Sequence, residues 1–203
     1  MPAGKSHRVT DLDTLKALGH PLRLKLYRAL YMAGTATASQ LADEVGEAVS
    51  LVSYHLRKLA AHGIIEEAPE GRGDARERWW QPIAQGISTR DEDWRDSPEG
   101  EAVHTATSRL WARELGELYE QYLDTKHSWS ADWRDAAFDS GSMMSLTADE
   151  LRSLGQEIEE LLAKWRARAK AAQEGDDVAG REKVSVHVQG VPYRTGSPQG
   201  GSS

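Results

Sequence analysis

Residues Thr35–Pro82 read TATASQLADEVGEAVSLVSYHLRKLAAHGIIEEAPEGRGDARERWWQP, and their periodicity decides the fold. Leu41, Ala42 and Val45 fall on one side of a short helix that Thr37 or Ser39 can cap. Gly46 follows the last apolar residue, where a helix end takes a left-handed conformation. A second helix is expected from about Ala48 to Ala61, with Val52, Leu56 and Leu59 facing inward at helical spacing. Gly63 ends it. Ile64 and Ile65 then start a strand, Gly71-Arg72-Gly73-Asp74 make a turn, and Glu77 to Gln81 return as the partner strand.

The outward side of the second helix carries Ser50, Leu51, Ser53, Tyr54, Arg57 and Lys58. Short side chains at the front of a helix permit close approach to a groove, and hydroxyls and Arg can reach base edges or phosphates. Arg72 and Arg76, at or near the ribbon tip, are placed for a backbone phosphate or a minor groove. His55 lies on the border between the core and groove sides and is assigned to structure or to a phosphate contact. Two helices, a tight turn and a two-stranded ribbon are the layout of a winged helix-turn-helix.

Further residues sharpen that layout. Leu15-Lys16-Ala17-Leu18-Gly19-His20-Pro21-Leu22-Arg23 and Gln40-Leu41-Ala42 precede Val52-Ser53-Tyr54-His55-Leu56-Arg57-Lys58-Leu59 and then Gly63-Ile64-Ile65. As a set they resemble the ArsR-type (arsenic-repressor-like) winged-helix regulators of bacteria, over about residues 10–85. The resemblance implies a sequence-specific transcriptional regulator, a dimeric repressor on double-stranded DNA, and a long helix after the wing that builds the dimer interface.

The domain division is expected to be 10–85 for DNA binding and 97–192 for a helical dimerisation and possible effector domain, with 1–9 and 193–203 as loose tails. The fold class is mainly α with a small β wing, plus a C-terminal helical or α+β dimerisation extension. Within the first domain, Asp11 or Asp13 can cap a helix carrying Leu12, Leu15 and Leu18, and Pro21 opens a second that runs to about Met32. Arg23 and Lys25 could reach a DNA backbone, but are read first as a solvated face. Ala84 to Asp96 reads as a loop, and Ser97-Pro98-Glu99 starts a helix reaching about Lys126, with Trp111, Leu115, Leu118 and Tyr122 as one stripe. Residues 127–146 read as irregular. Thr147 to Glu150 form a capping box for a helix with Leu151, Leu154, Ile158, Leu161, Leu162 and Trp165. Val184, Val186 and Val188 alternate with polar residues and suggest a strand, with residues 142–146 as its nearest partner.

The net charge of −7 is unevenly spread: residues 1–90 hold 12 Lys and Arg against 10 Asp and Glu, and residues 91–203 hold 13 against 22. The half expected to meet phosphates is therefore mildly basic at +2, and the other half is −9. There is no cysteine, no apolar leader in the first residues and no apolar run of membrane-spanning length, so a cytoplasmic protein without membrane contact is expected.

No thiolate ligand can form near Leu41 to Val45, and only Glu101/His104 and Asp124/His127 stand three apart on a helix, so no metal site and no cofactor are expected. No phosphate-binding glycine loop, nucleophile elbow or metalloprotease pair occurs, so the chain is not read as an enzyme. Seven Trp against one Phe is an unusual ratio, and Trp111, Trp129 and Trp133 are candidates for contacting a small apolar or aromatic effector. The competing reading is a protein-interaction module that uses the winged helix and the Leu151–Trp165 stripe without specific DNA binding.

Overall fold

A computed structural model describes residues 7–69, 77–84, 86–174 and 179–194. Strand β1 is His7–Arg8, followed by α1 (Leu12–Leu18), α2 (Pro21–Ala33), β2 (Ala36–Thr37), α3 (Ala38–Val45) and α4 (Val49–Ala61). Strands β3 (Ile65–Glu67), β4 (Trp79–Pro82) and β5 (Ile87–Ser88) precede the long helix α5 (Pro98–Thr125), the short α6 (Ala131–Ala136) and α7 (Ala148–Glu174). The fold is mainly helical with a small sheet, as the periodicity implied.

The ends of α1, α2 and α3 have local causes. Asp11 accepts from the Thr14 amide at 2.8 Å and caps α1. Pro21 opens α2 at a position where its missing N–H costs nothing. Thr37, not Ser39, caps α3, through a reciprocal box with Gln40: the Gln40 amide donates to Thr37 Oγ1 at 3.3 Å, and the Thr37 amide donates to Gln40 Oε1 at 3.0 Å. Gly46 closes α3 in the left-handed region at φ +70°. Arg23 does not form a solvated face: its Nε donates to the Ala17 carbonyl and its Nη2 to the Lys16 carbonyl at 3.2 Å, so it satisfies the orphaned end of α1.

The core lies among α1 to α4 and the sheet. Leu15, Leu18, Leu26, Leu30, Leu41, Val52, Leu56, Leu59 and Ile65 are buried together. Burial of each large side chain contributes about 2 kcal/mol. Strand β4 is central, pairing antiparallel with β3 (Ile65 opposite Pro82, Glu67 opposite Trp80) and with β2 (Thr37 opposite Trp79). Trp80 seals the sheet from the core side.

Helix α5 packs on α1 through Val103, Thr107, Leu110 and Trp111. Gly19 permits the approach, since a Cβ there would stand 3.0 Å from Thr107 Oγ1. Arg28 and the buried Glu114 bridge α2 to α5 at 3.6 Å, and Lys16 reaches Glu99 at 2.6 Å.

Several expectations are corrected. The N-terminal end is not loose over residues 7–9: β1 pairs in parallel with β5, Val9 is fully buried, and Arg8 binds Glu92 and Asp93 at 2.6 and 2.8 Å. That ladder also gives structure to the stretch from Ala84 to Asp96, expected as a loop. The expected irregular stretch 127–146 contains α6, capped by Ser130. Residues 184–188 form no strand and do not pair with 142–146. Val184, Val186 and Val188 are exposed there, and it is Gly190, just beyond them, that approaches α7, where a Cβ would meet Leu151 Cδ1 at 3.1 Å. The capping box at Thr147 forms as expected, with the Glu150 amide donating to Thr147 Oγ1 at 3.2 Å and the Thr147 amide to the Glu150 carboxylate at 2.7 Å.

Candidate nucleic-acid interface

The surface of α4 is set by the burial of its other side. Val52, Leu56 and Leu59 are buried, so a 3.6-residue period turns Ser50, Leu51, Tyr54, Arg57 and Lys58 outward, where all five are exposed. Ser53 lies at the margin, half-buried. Helix α3 packs against α4, joined to it by the turn at Gly46, and Val49, Ser50 and Leu51 at the start of α4 are exposed. Ala48 provides no side-chain cap, so the first amides of α4 have no side-chain acceptor there.

The exposed face is ordered within itself. Lys58 Nζ stands 5.8 Å from the centre of the Tyr54 ring, and Tyr54 meets His55 edge-on at 5.2 Å. His55 is buried at 5% exposure, so of its two assigned roles the structure supports packing. Its ring faces His20 at 4.6 Å between centroids, joining α4 to the start of α2. The Nδ1 atoms of both rings are buried without a hydrogen-bond partner. Burial, and then Arg23, holds His20 below the ordinary histidine value; burial, His20 and Arg23 do the same for His55, against a weaker opposing effect of Glu47. A groove of about 400 Å³ beside this pair is lined by Leu22, Lys25, Val45, Glu47 and Leu51.

Arg72 and Arg76 lie outside the described residues. The described flank of the ribbon carries Arg78, which pairs with Glu67 at 3.1 Å. Ser39, offered by the sequence as a cap, is instead half-buried at the front of α3 and hydrogen-bonds Glu77 at 3.0 Å, tying α3 to the residues just before β4, a contact that the sequence did not reveal.

The three candidate effector tryptophans are not brought together. Trp111 is half-buried against the winged-helix core, and about 20 Å of helix separates it from the end of α5. Trp129 and Trp133 form their own pair, 6.4 Å apart. His104 hydrogen-bonds Thr89 at 3.2 Å and stacks on the buried Trp94. Among the described residues no three His, Asp or Glu side chains stand together as a metal site, and no helix is long and apolar enough to cross a membrane.

No curated protein matches the chain. Solved structures similar to it include a possible transcriptional regulator for arsenical resistance, 26% identical over 55% of this chain and 97% of its own, with a TM-score of 0.31. YusO from Bacillus subtilis is 22% identical over 62% and 82%, at 0.32. A mutant MarR from E. coli complexed with operator DNA is 16% identical over 73% and 85%, at 0.30. The family model that matches is described as "Helix-turn-helix domain" and covers residues 18–68, which run from the end of α1 to just past β3. Residues 18–68 thus match a helix-turn-helix model, and the antiparallel β3–β4 ribbon that follows α4 completes the layout of a winged helix-turn-helix.

Proposed function

We propose that the chain is a sequence-specific DNA-binding transcriptional regulator that acts as a homodimer and represses by occluding a promoter. The observation that carries this reading is the two-sided α4, with Val52, Leu56 and Leu59 locked in the core and Ser50, Leu51, Tyr54 and Arg57 exposed along its other side. In the proposed complex α4 enters the major groove, with Ser50, Ser53, Tyr54 and Arg57 against base edges or nearby phosphates. Lys58, Arg72 and Arg76 hold the backbone, and Leu51 supplies apolar contact.

Release by a small apolar or aromatic effector belongs to the same reading. The half-buried Trp129–Trp133 pair, its rings tilted 58° to one another, offers it apolar contact, and Trp111 links α5 to the winged-helix core. The ArsR-type resemblance adds the expectation of repression.

Fluorescence anisotropy against the DNA upstream of the protein's own gene, beside a scrambled duplex, tests the proposal. Specific binding that weakens with salt and is lost in Arg57→Glu supports it. Equal weak binding to both duplexes defeats it and favours a module that binds protein.

A further inference from the structure

Helix α7 carries more apolar surface than its own chain covers. Leu151, Leu154, Ile158, Leu161 and Trp165 alternate at three- and four-residue intervals, the seam of a helix that packs lengthwise on another. The neighbouring side of the helix, around Leu162 and Arg166, is turned inward: Arg166 pairs with Glu159 at 3.1 Å, and its charge reaches Tyr31 on α2. Leu151, Leu154 and Ile158 are half-buried. Leu161 and Trp165 remain 54% and 58% exposed, with the Arg168 guanidinium standing 5.0 Å over the Trp165 ring.

The charges on α7 are divided along its length. Before Leu161 the helix has five carboxylates and one Arg, and from Leu161 onward it has four cations and one carboxylate. Such a helix repels a parallel copy of itself and attracts an antiparallel one. Glu157 and Lys164 flank the seam one heptad apart, and neither has an ion-pair partner among the described residues.

We infer that the exposed Leu161–Trp165 seam of α7 is covered by α7 of a second copy of this chain, antiparallel, in the register that sets Glu157 of each copy against Lys164 of the other. The same register places Leu161 against Ile158 and Trp165 against Leu154 across the two-fold axis. Sliding one helix by a heptad would oppose Lys164 to Lys164, so the charges select the register as well as the direction. This inference rests on the homodimer reading and assigns it an element, α7, where the resemblance pointed to α5.

Sedimentation equilibrium of the full-length protein tests it. Glu157→Lys and Lys164→Glu should each raise the dimer dissociation constant about ten-fold, since each places two like-charged pairs across the axis, and the double reversal should return it to within about three-fold. Leu161→Asp should give monomer with unchanged helix content. If dimer persists at wild-type strength in all of these, the inference is wrong while the homodimer reading stands. If the unaltered protein is monomeric at tens of micromolar, both fail.

Discussion

His20 and His55 show how one residue pair can couple the stability of α4 to pH. Their rings touch across the joint between α2 and α4, each with a buried nitrogen that has no partner. Burial lowers both pKa values, and Arg23 on α2 reinforces the shift, while Glu47 in the turn before α4 opposes it for His55. Below the unfolded value of about 6.5 the unfolded chain takes up protons that the folded chain refuses. The contribution of the pair is therefore complete above that pH and is lost progressively as the pH falls beneath it. Thermal unfolding followed by circular dichroism should show a midpoint several degrees lower at pH 5.5 than at pH 7.5. The double variant His20→Gln/His55→Gln should flatten most of that slope, leaving the share of His187, which burial also lowers. An unchanged slope would place the pH sensitivity elsewhere.

At the scale of elements, the link between α3 and α4 turns on Gly46. Gly46 adopts φ +70°, and a Cβ built there meets no heavy atom within 4 Å among the described residues. Replacement costs only the left-handed backbone, so Gly46→Ala should lower urea stability by about 1 kcal/mol, with Gly46→Asn costing less. The cap at the other end of α3 is comparable: Thr37→Ala removes the acceptor for the Gln40 amide and should cost about 1 kcal/mol. A much larger loss at Gly46 would show that crowding, not conformation, selects glycine there. These elements were legible in the sequence because a 3.6-residue period, a cap and a glycine stop agree on each. The exposed face of α4 followed from the same period, as the complement of Val52, Leu56 and Leu59. The β1–β5 ladder was not legible, since two residues carry no period and their partners lie eighty residues apart. Residues 184–188 show the converse: Val184, Val186 and Val188 have the alternation of a strand, but a ladder also needs a second backbone, and that information is not local. The role of Arg23 was hidden for the same reason, because the carbonyls it satisfies belong to the preceding helix.

For the whole molecule, charge and function pull in opposite directions. Residues 1–90 are +2 and residues 91–203 are −9, so the proposed dimer would bring a strongly acidic body to DNA behind a locally basic edge. The long-range field then opposes non-specific association, and binding depends on cations close enough to phosphates to escape screening. On the proposed interface these are Arg57, Lys58, Arg72 and Arg76, four per protomer. If all eight in a dimer displace counterions, log K falls with log salt at a slope no steeper than about −7, and the neutral replacement Arg57→Gln should reduce the magnitude by roughly 2, one contact from each protomer. Lys58→Gln should do the same without changing which duplex is preferred, because a phosphate contact weakens all sequences alike. The measurement is anisotropy over a salt series with matched and scrambled duplexes. A slope much steeper than −7 would mean that cations from the C-terminal half, such as those at the end of α7, also lie on the DNA. Antiparallel pairing of α7 would then be incompatible with that path, because it commits Lys164 to Glu157 of the other copy.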